Sequence, residues 1–306
     1  MKRGKNMQKT AFIAIVGRPN VGKSSILNKI LGQKITIVSS KPQTTRTRIM
    51  GVYTKDDVQL VFIDTPGLHK PKNSLGKYMV RSINESVGGV DACLLVAECD
   101  KVPGDTEKML IDRFKSMDIP AVLALNKIDR LKEKSELMDK IAAYSEAFDF
   151  DDIVPVSAHN GSGINDLVKA LEKQAAEGMH LFDADTVTDQ PERVLASEII
   201  REKILRLTDK EIPHGTAVVI ERFKTRANGV VTDIDATIYC ERSSHKGIII
   251  GKGGSMLKKI GTYAREDMEK FFECKVNLTL WVKVKEDWRN REGILRSLGY
   301  DENNFD

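Results

Sequence analysis

A chain of 306 residues with 41% hydrophobic side chains can bury a full core in each of about two domains, and a net charge of only +4 excludes a protein that grips polyanions through overall charge. Four cysteines, Cys93, Cys99, Cys240 and Cys274, show neither metal-ligand spacing nor a disulfide framework, which excludes a disulfide-stapled scaffold and reads as buried thiols in a reducing compartment. The basic stretch Met1–Thr10 precedes an apolar run too short for a signal peptide or a membrane span, so a cytoplasmic protein without a transmembrane segment is expected.

From Ala11 to about Glu177, short apolar runs alternate with amphipathic helical stretches, the pattern of an α/β domain with a mostly parallel sheet. The first run, Ala11–Val16, leads into Gly17-Arg18-Pro19-Asn20-Val21-Gly22-Lys23-Ser24 and then a helix. Its two glycines let backbone N–H groups curl round an anion, Lys23 brings a charge to terminal phosphates, and Ser24 offers a hydroxyl to magnesium. Between Lys34 and Arg48 the chain is polar, threonine-rich and aperiodic, a loop leading to a strand near Ile49–Tyr53. Lys55-Asp56-Asp57 then turns the chain into the next run, Val58–Ile63, as a hairpin that adds one antiparallel edge strand.

Asp64-Thr65-Pro66-Gly67 follows that run directly, where an α/β sheet carries its ligand-binding residues. Asp64 there can hold magnesium, usually through water, and the Gly67 N–H can reach a terminal phosphate and register its loss. The runs Ala92–Ala97 and Ala121–Leu125 come next, the second leading into Asn126-Lys127-Ile128-Asp129. A carboxylate at Asp129 accepts hydrogen bonds from the N1–H and 2-amino group of guanine. Adenine offers neither donor, so this motif selects GTP over ATP. Asn126 can brace the loop, and Lys127 can lay its stem along the base. After the last run, Ile153–Val156, Ser157-Ala158 would present a backbone N–H to the guanine oxygen.

Residues 178–191, with Asp183, Asp185 and Asp189, have no clear period and read as a linker. Beyond it a helical pattern runs from Arg193 to Leu207. Two alternating strands, Thr216–Thr225 and Val230–Cys240, are joined through Arg226-Ala227-Asn228-Gly229, a strong turn signal. Ile248-Ile249-Ile250-Gly251-Lys252-Gly253-Gly254-Ser255 is an apolar helix end, a tight turn and the start of a second helix to Phe272, followed by a strand at Lys275–Lys285 and a short helix near Arg291–Leu298. From Arg242 to Lys259 the chain carries the basic residues Arg242, Lys246, Lys252, Lys258 and Lys259 with no acidic residue among them, so positive charge concentrates where phosphates would lie. Trp281 and Trp288 can each stack on a base, and are read as strand packing and a helix-start contact.

In order, the nucleotide motifs resemble the GTPase pattern of the phosphate-loop superfamily over most of residues 11–177, and the later order of elements resembles the prokaryotic form of the KH fold. A GTPase domain joined to a type II KH domain in 306 residues resembles the bacterial Era family along nearly the whole chain. Gly17 to Ser24, Pro42 to Arg46, Asp64 to Gly67, Asn126 to Asp129, Ser157-Ala158 and Gly251 to Gly254 carry that resemblance.

The resemblance implies GTP/GDP binding by residues 17–25, from Gly17 to Ser25, with the later motifs, and magnesium held through Ser24, Asp64 and a first-loop threonine. Thr44 and Thr45 both fit, and Thr45, beside Arg46, is favoured. Many small GTPases orient the attacking water with a glutamine where this chain has Leu68, which cannot do so. His69 reads as an exposed loop histidine, and the general base is left unassigned. Relatives compensate with a monovalent cation held partly by an asparagine that matches Asn20, so slow turnover stimulated by potassium is expected. The GxxG loop with its flanks, from Ile250 to Gly254, is expected to clamp about four nucleotides of single-stranded RNA. By the same resemblance the partners are the 3′ end of 16S ribosomal RNA and the small ribosomal subunit, with peripheral membrane association, in a monomer. The expected division is a basic tail (1–10), a GTPase domain (11–177), the linker (178–191) and a KH-type domain with a C-terminal helix (192–306). Two other classes stay open: a membrane-directed or cell-cycle GTPase using the basic patch on anionic lipid, and an RNA-binding module that keeps nucleotide only as a structural ligand.

Overall fold

The computed structural model describes residues 7–39, 41, 44–68, 71, 73–131, 133, 135–209, 212–227 and 229–300. Pro42, Gln43, His69, Asn228 and the first six residues of the basic tail lie outside the described residues. Among those described, one compact unit takes in residues up to 36, 45–68 and 79–189; a second takes 37–44, 71–78 and the chain from 190.

Up to residue 177 the elements are β1 (Lys9–Val16), α1 (Lys23–Leu31), β2 (Ile49–Lys55), β3 (Val58–Asp64), α2 (Ser74–Val87), β4 (Ala92–Glu98), α3 (Asp105–Met117), β5 (Ala121–Asn126), α4 (Ser135–Ala147), β6 (Asp152–Val156), α5 (Ile164–Glu172) and β7 (Ala176–Glu177); residues 74–78 of α2 fall in the second unit and the rest in the first. Its sheet has the order β2-β3-β1-β4-β5-β6, with β7 pairing antiparallel to β1 at Lys9. Strands β3, β1, β4, β5 and β6 are parallel, and every residue of Ala92–Ala97 and Ala121–Leu125 is fully buried. Continuous apolar strands of this kind need cover on both faces, which is why the sequence alternates them with helices. The hairpin expectation holds: β2 runs antiparallel to β3 at the sheet edge, and Asp56, at φ 51°, makes the turn. Because the central strands are parallel, the segments after β1, β3, β5 and β6 leave the sheet along one edge.

The aperiodic stretch read as a linker is hydrogen-bonded to this sheet. Buried Gln59 accepts the N–H groups of Leu181 (2.7 Å) and Phe182 (3.1 Å) and donates to the Phe182 carbonyl (2.9 Å). Further along, Val52 N–H donates to the Val187 carbonyl at 2.8 Å and the Thr188 hydroxyl to that of Met50 at 2.6 Å. Backbone bonds of this kind leave no hydrophobic period to read.

The second unit contains α6 (Glu192–Leu207), β8 (Thr216–Thr225), β9 (Val231–Cys240), α7 (Ser243–Ile250), α8 (Ser255–Phe271), β10 (Lys275–Val284) and α9 (Glu292–Ser297). Its sheet has the order β10-β9-β8, with β9 antiparallel to β8 and parallel to β10. Ile200, Ile204, Ile238, Ile249, Ile260 and Met268 fill the core between helices and sheet. Helix α6 also buries charge: Arg201 donates to both Glu198 oxygens (2.8 and 2.6 Å) and to the Thr44 carbonyl, while Glu202 accepts from the Val38 N–H (3.2 Å) and Lys203 (3.1 Å). Buried ions persist only when paired in this way. Among the cysteines, Cys93, Cys99 and Cys240 are buried, Cys274 is half-buried, and all four are free. No helix among the described residues is long and apolar enough to cross a membrane.

The two tryptophans part company. Trp288 is fully buried, donates its indole N–H to the Gly215 carbonyl at 3.0 Å and stacks on Tyr300 with ring centroids 5.9 Å apart. The packing expected for Trp281 fails, because it lies on an edge strand, on the face opposite the core residues Val276 and Val282; 46% of it is exposed. Trp288→Ala is expected to lower the stability of this unit by about 3–5 kcal/mol, and Trp288→Phe by less. Urea unfolding followed by Trp281 fluorescence measures it, and an unchanged midpoint for the alanine variant contradicts the packing role.

Candidate functional site

The phosphate loop bridges β1 and α1. Gly22 precedes the helix at φ 106°, and a Cβ there would lie 2.1 Å from Asn126 Nδ2, so only glycine fits. Asn126 explains the crowding: its Nδ2 donates to the Val21 carbonyl at 2.7 Å, and its Oδ1 accepts the Ala158 N–H at 3.0 Å. One side chain therefore fixes the loops after β1, β5 and β6. Lys23 turns inward, donating to the carbonyls of Gly17 (3.1 Å) and Arg18 (3.0 Å), and burial lowers its ammonium to about 8 against the opposing pull of Asp64. Arg18 is held by an ion pair with buried Glu107 on α3, a partner the sequence did not single out. Glu107 also accepts the Gly104 N–H at 3.2 Å, and its place three residues past that glycine, at a helix start, was the available signal. Ser25 follows in the first turn of α1.

Three oxygens meet beside this loop. Ser24 Oγ donates to Asp64 Oδ2 at 2.7 Å and lies 3.0 Å from Thr45 Oγ1. The Thr44 hydroxyl is committed elsewhere, to the carbonyl of Lys41 at 2.6 Å. Asp64 Oδ1 is buried without a hydrogen-bond partner, and burial pushes the carboxyl up to about 6 despite Ser24, Lys23 and Thr45. A hard divalent cation supplies what that orphaned oxygen lacks, so Ser24, Thr45 and Asp64 fit magnesium. The next segment packs closely: the Thr65 hydroxyl donates to the Ile15 carbonyl (2.7 Å), Pro66 leads to Gly67 against Pro19, and Leu68 N–H donates to the Gly17 carbonyl (3.2 Å). The Leu68 side chain joins the apolar cluster with Val16 and Ile83, out of reach of any water-orienting role.

At the base end, Asp129 is exposed, accepts the Ser157 hydroxyl and is held below the usual carboxylate range mainly by that bond. Lys127, at φ 71°, donates to the Asn20 carbonyl (2.8 Å) and pairs with Glu98. Burial alone would raise Glu98, yet Lys101 and Lys127 together hold it near about 2, a second carboxylate missed from sequence. Asn20, exposed and at φ 64°, is thereby anchored through its backbone. Of the two backbone donors of Ser157-Ala158, the Ala158 N–H is given to the buried amide oxygen of Asn126 and the Ser157 N–H to the Ser162 carbonyl at 2.9 Å.

In the second unit, α7 ends at Ile250, Gly251 turns at φ 72°, and Lys252–Gly254 forms one tight turn before α8. Methyl groups placed on Gly253 or Gly254 would meet nothing within 4 Å, which leaves the loop open to another backbone. A groove of about 510 Å³ runs from it, with Gly254, Leu257, Lys258 and Arg265 on one side and Asn277 and Leu280 on the other. Lys252, Lys258 and Lys259 are exposed beside it, whereas Arg242 and Lys246 lie on α7, at its N-cap and first turn. Arg265 and Asn277 are groove residues that sequence reasoning passed over.

The pattern of the family described as 50S ribosome-binding GTPase matches residues 12–127, and that of the KH domain matches residues 211–289. GTPase Era of Clostridioides difficile (strain 630) is 48% identical over 296 residues, covering 97% of this chain and 100% of its own. The chain belongs to the Era family. GTPase Era of Alkaliphilus oremlandii (strain OhILAs) is 50% identical over 295 residues, with 96% and 99% covered. A crystal structure of an Aquifex aeolicus Era variant bound to GDP and AlF4− matches with a TM-score of 0.92 at 38% identity, covering 96% of this chain and 99% of that one. So does one of Era in complex with MgGDPNP and nucleotides 1506–1542 of 16S ribosomal RNA, with the same values. In this Era-family chain, Asp129→Asn is expected to weaken GDP binding by about 3 kcal/mol, on the order of a hundredfold, since two hydrogen bonds to a charged acceptor are lost. Competition against a fluorescent GDP analogue reads it; an unchanged affinity removes Asp129 from base recognition.

Proposed function

We propose that this chain is a GTP-hydrolysing, RNA-binding protein that binds the 3′ end of 16S ribosomal RNA and assists assembly of the small ribosomal subunit through a nucleotide switch. The observation that carries this is the meeting of Ser24, Thr45 and Asp64 beside an inward-turned Lys23, in a chain akin over nearly its full length to Era. The broader GTPase pattern carries a 50S description, but the full-length relative was crystallised with 16S RNA, which favours the small subunit. The alternative, a membrane-associated or cell-cycle regulator using the basic patch on anionic lipid, has no comparable support.

Lys23 would neutralise charge building on the transferred phosphoryl group, and the Gly67 N–H would donate to the terminal phosphate. Ser24, Thr45 and Asp64 would hold magnesium, which would supply electrostatic neutralisation of phosphate charge. Loss of the terminal phosphate releases Thr45 and Gly67, and with them the RNA-binding state. Leu68 cannot orient the attacking water as the glutamine of many small GTPases does, so slow turnover is expected. Asn20 would hold part of a potassium site, and the cation's charge would offset part of what the missing glutamine supplies. The reading carries a cytoplasmic location, with peripheral association at the inner face of the cell membrane.

Hydrolysis by the parent protein is expected to run faster in potassium than in sodium, and Asn20→Ala to remove that difference without loss of GDP affinity. Steady-state phosphate release tests this, and equal salt responses of parent and variant remove the potassium role. Gly253→Asp sets a carboxylate against the RNA phosphates and is expected to weaken binding of the 16S fragment by about tenfold. Intact RNA binding with reduced binding to anionic vesicles would instead select the membrane reading. RNA affinity that is identical with GDP and with a non-hydrolysable GTP analogue would remove the switch.

A further inference from the structure

The face of the three-stranded sheet turned away from the helices has no role in the reading above. Val276 and Val282 of β10 join the core with Ile234 and Ile238 of β9, so the odd-numbered residues of both strands point the other way. Trp281 stands in the middle of that face, opposite Thr237, with 46% of its surface exposed. Left open there, it forgoes the apolar burial that Trp288 obtains in full. Two residues on, Lys283 lies opposite Tyr239, and Lys285 Nζ sits 5.2 Å over the Tyr239 ring. Lys275 occupies the other end of the strand.

Of the carboxylates on this face, Asp233 is paired with a cation. Asp233 accepts both arms of Arg226 (3.0 and 2.7 Å) and the Asn277 amide (2.9 Å), Asp235 stands opposite Arg222, and Glu221 sits at the β8 bulge. Around Trp281 the neighbours Thr237, Thr279 and Lys283 are polar, which does not suit a protein partner, since interface cores are wide apolar patches. An exposed indole with Lys283 two residues along the strand suits an unpaired base and the phosphate next to it. Moreover, β10 supplies Asn277, Leu278 and Leu280 to the groove beside Gly254, so groove and open face adjoin along one edge strand.

We propose that this open sheet face is a second RNA-binding surface, continuous with the groove, on which Trp281 stacks one unpaired base while Lys283 meets the neighbouring phosphate. The proposal rests on the RNA-binding reading above and extends the footprint beyond the nucleotides clamped by the GxxG loop. The full chain is titrated with two RNAs: an oligonucleotide of about four nucleotides, enough for the groove alone, and nucleotides 1506–1542 of 16S ribosomal RNA. Trp281→Ala is expected to weaken binding of the long RNA by about tenfold and leave the short one unchanged. Trp281→Phe restores most of the loss. In a Trp288→Phe background, the remaining tryptophan fluorescence is quenched by the long RNA and not by the short.

Unchanged affinity of Trp281→Ala for the long RNA, or equal weakening for both RNAs, overturns the proposal. Failure of the parent chain to bind either RNA, or indifference of the short RNA to Gly253→Asp, overturns the groove reading itself and this extension with it. Binding of the short RNA that is sensitive to Gly253→Asp, together with a long RNA indifferent to Trp281, sinks the extension alone.

Discussion

Asn126 ends β5 at 2% exposure with both halves of its amide engaged, Nδ2 on the Val21 carbonyl and Oδ1 on the Ala158 N–H. Through it the phosphate loop, the base-reading loop and the loop after β6 share one geometry. Losing the side chain would leave two backbone groups unpaired in the interior, each costing about 1–3 kcal/mol. Gly22 follows from the same bond, because the amide occupies the space a Cβ would need. The nucleotide edge is thus a single braced structure, and the positions of Lys23, Ser24 and Asp129 are consequences of it.

The charges inside that structure oppose its stability. Burial works against the charged forms of both Lys23 and Asp64, and Asp64 keeps one oxygen without a partner. Sites held in such a condition are arranged for a ligand that brings the missing charge, and binding then adds stability by mass action. Helix α6 is the contrast. Its buried Glu198, Arg201, Glu202 and Lys203 satisfy one another and the backbone of residues 38 and 44, so they are structural ions.

What the sequence revealed and concealed follows from the kind of interaction involved. Runs such as Ala92–Ala97 are buried on both faces, and continuous apolar text reports that directly. The phosphate loop, Asp64 and Asp129 were legible because each stands in a compact motif at the end of an apolar strand. Glu98 and Glu107 were not, since each acts on a residue brought near by folding, and a lone glutamate carries no mark of its partner. The bond from the Ala158 N–H to Asn126 was equally hidden, because chain order does not show which acceptor a donor meets. Trp281 escaped for a further reason: alternation places a side chain on one of two faces without saying which face is covered.

The strip from Phe182 to Thr188 has a consequence for solubility. Strand β2 is the outer strand of the first sheet, and an outer strand offers unpaired N–H and C=O groups as a template for other chains. Val187 takes up the Val52 N–H, and Thr188 takes up the Met50 carbonyl. What reads as a passive connector is therefore edge insulation. A GTPase half ending at residue 177 would keep its entire parallel sheet and expose a sticky margin, so the minimal independent unit is longer than its last strand suggests.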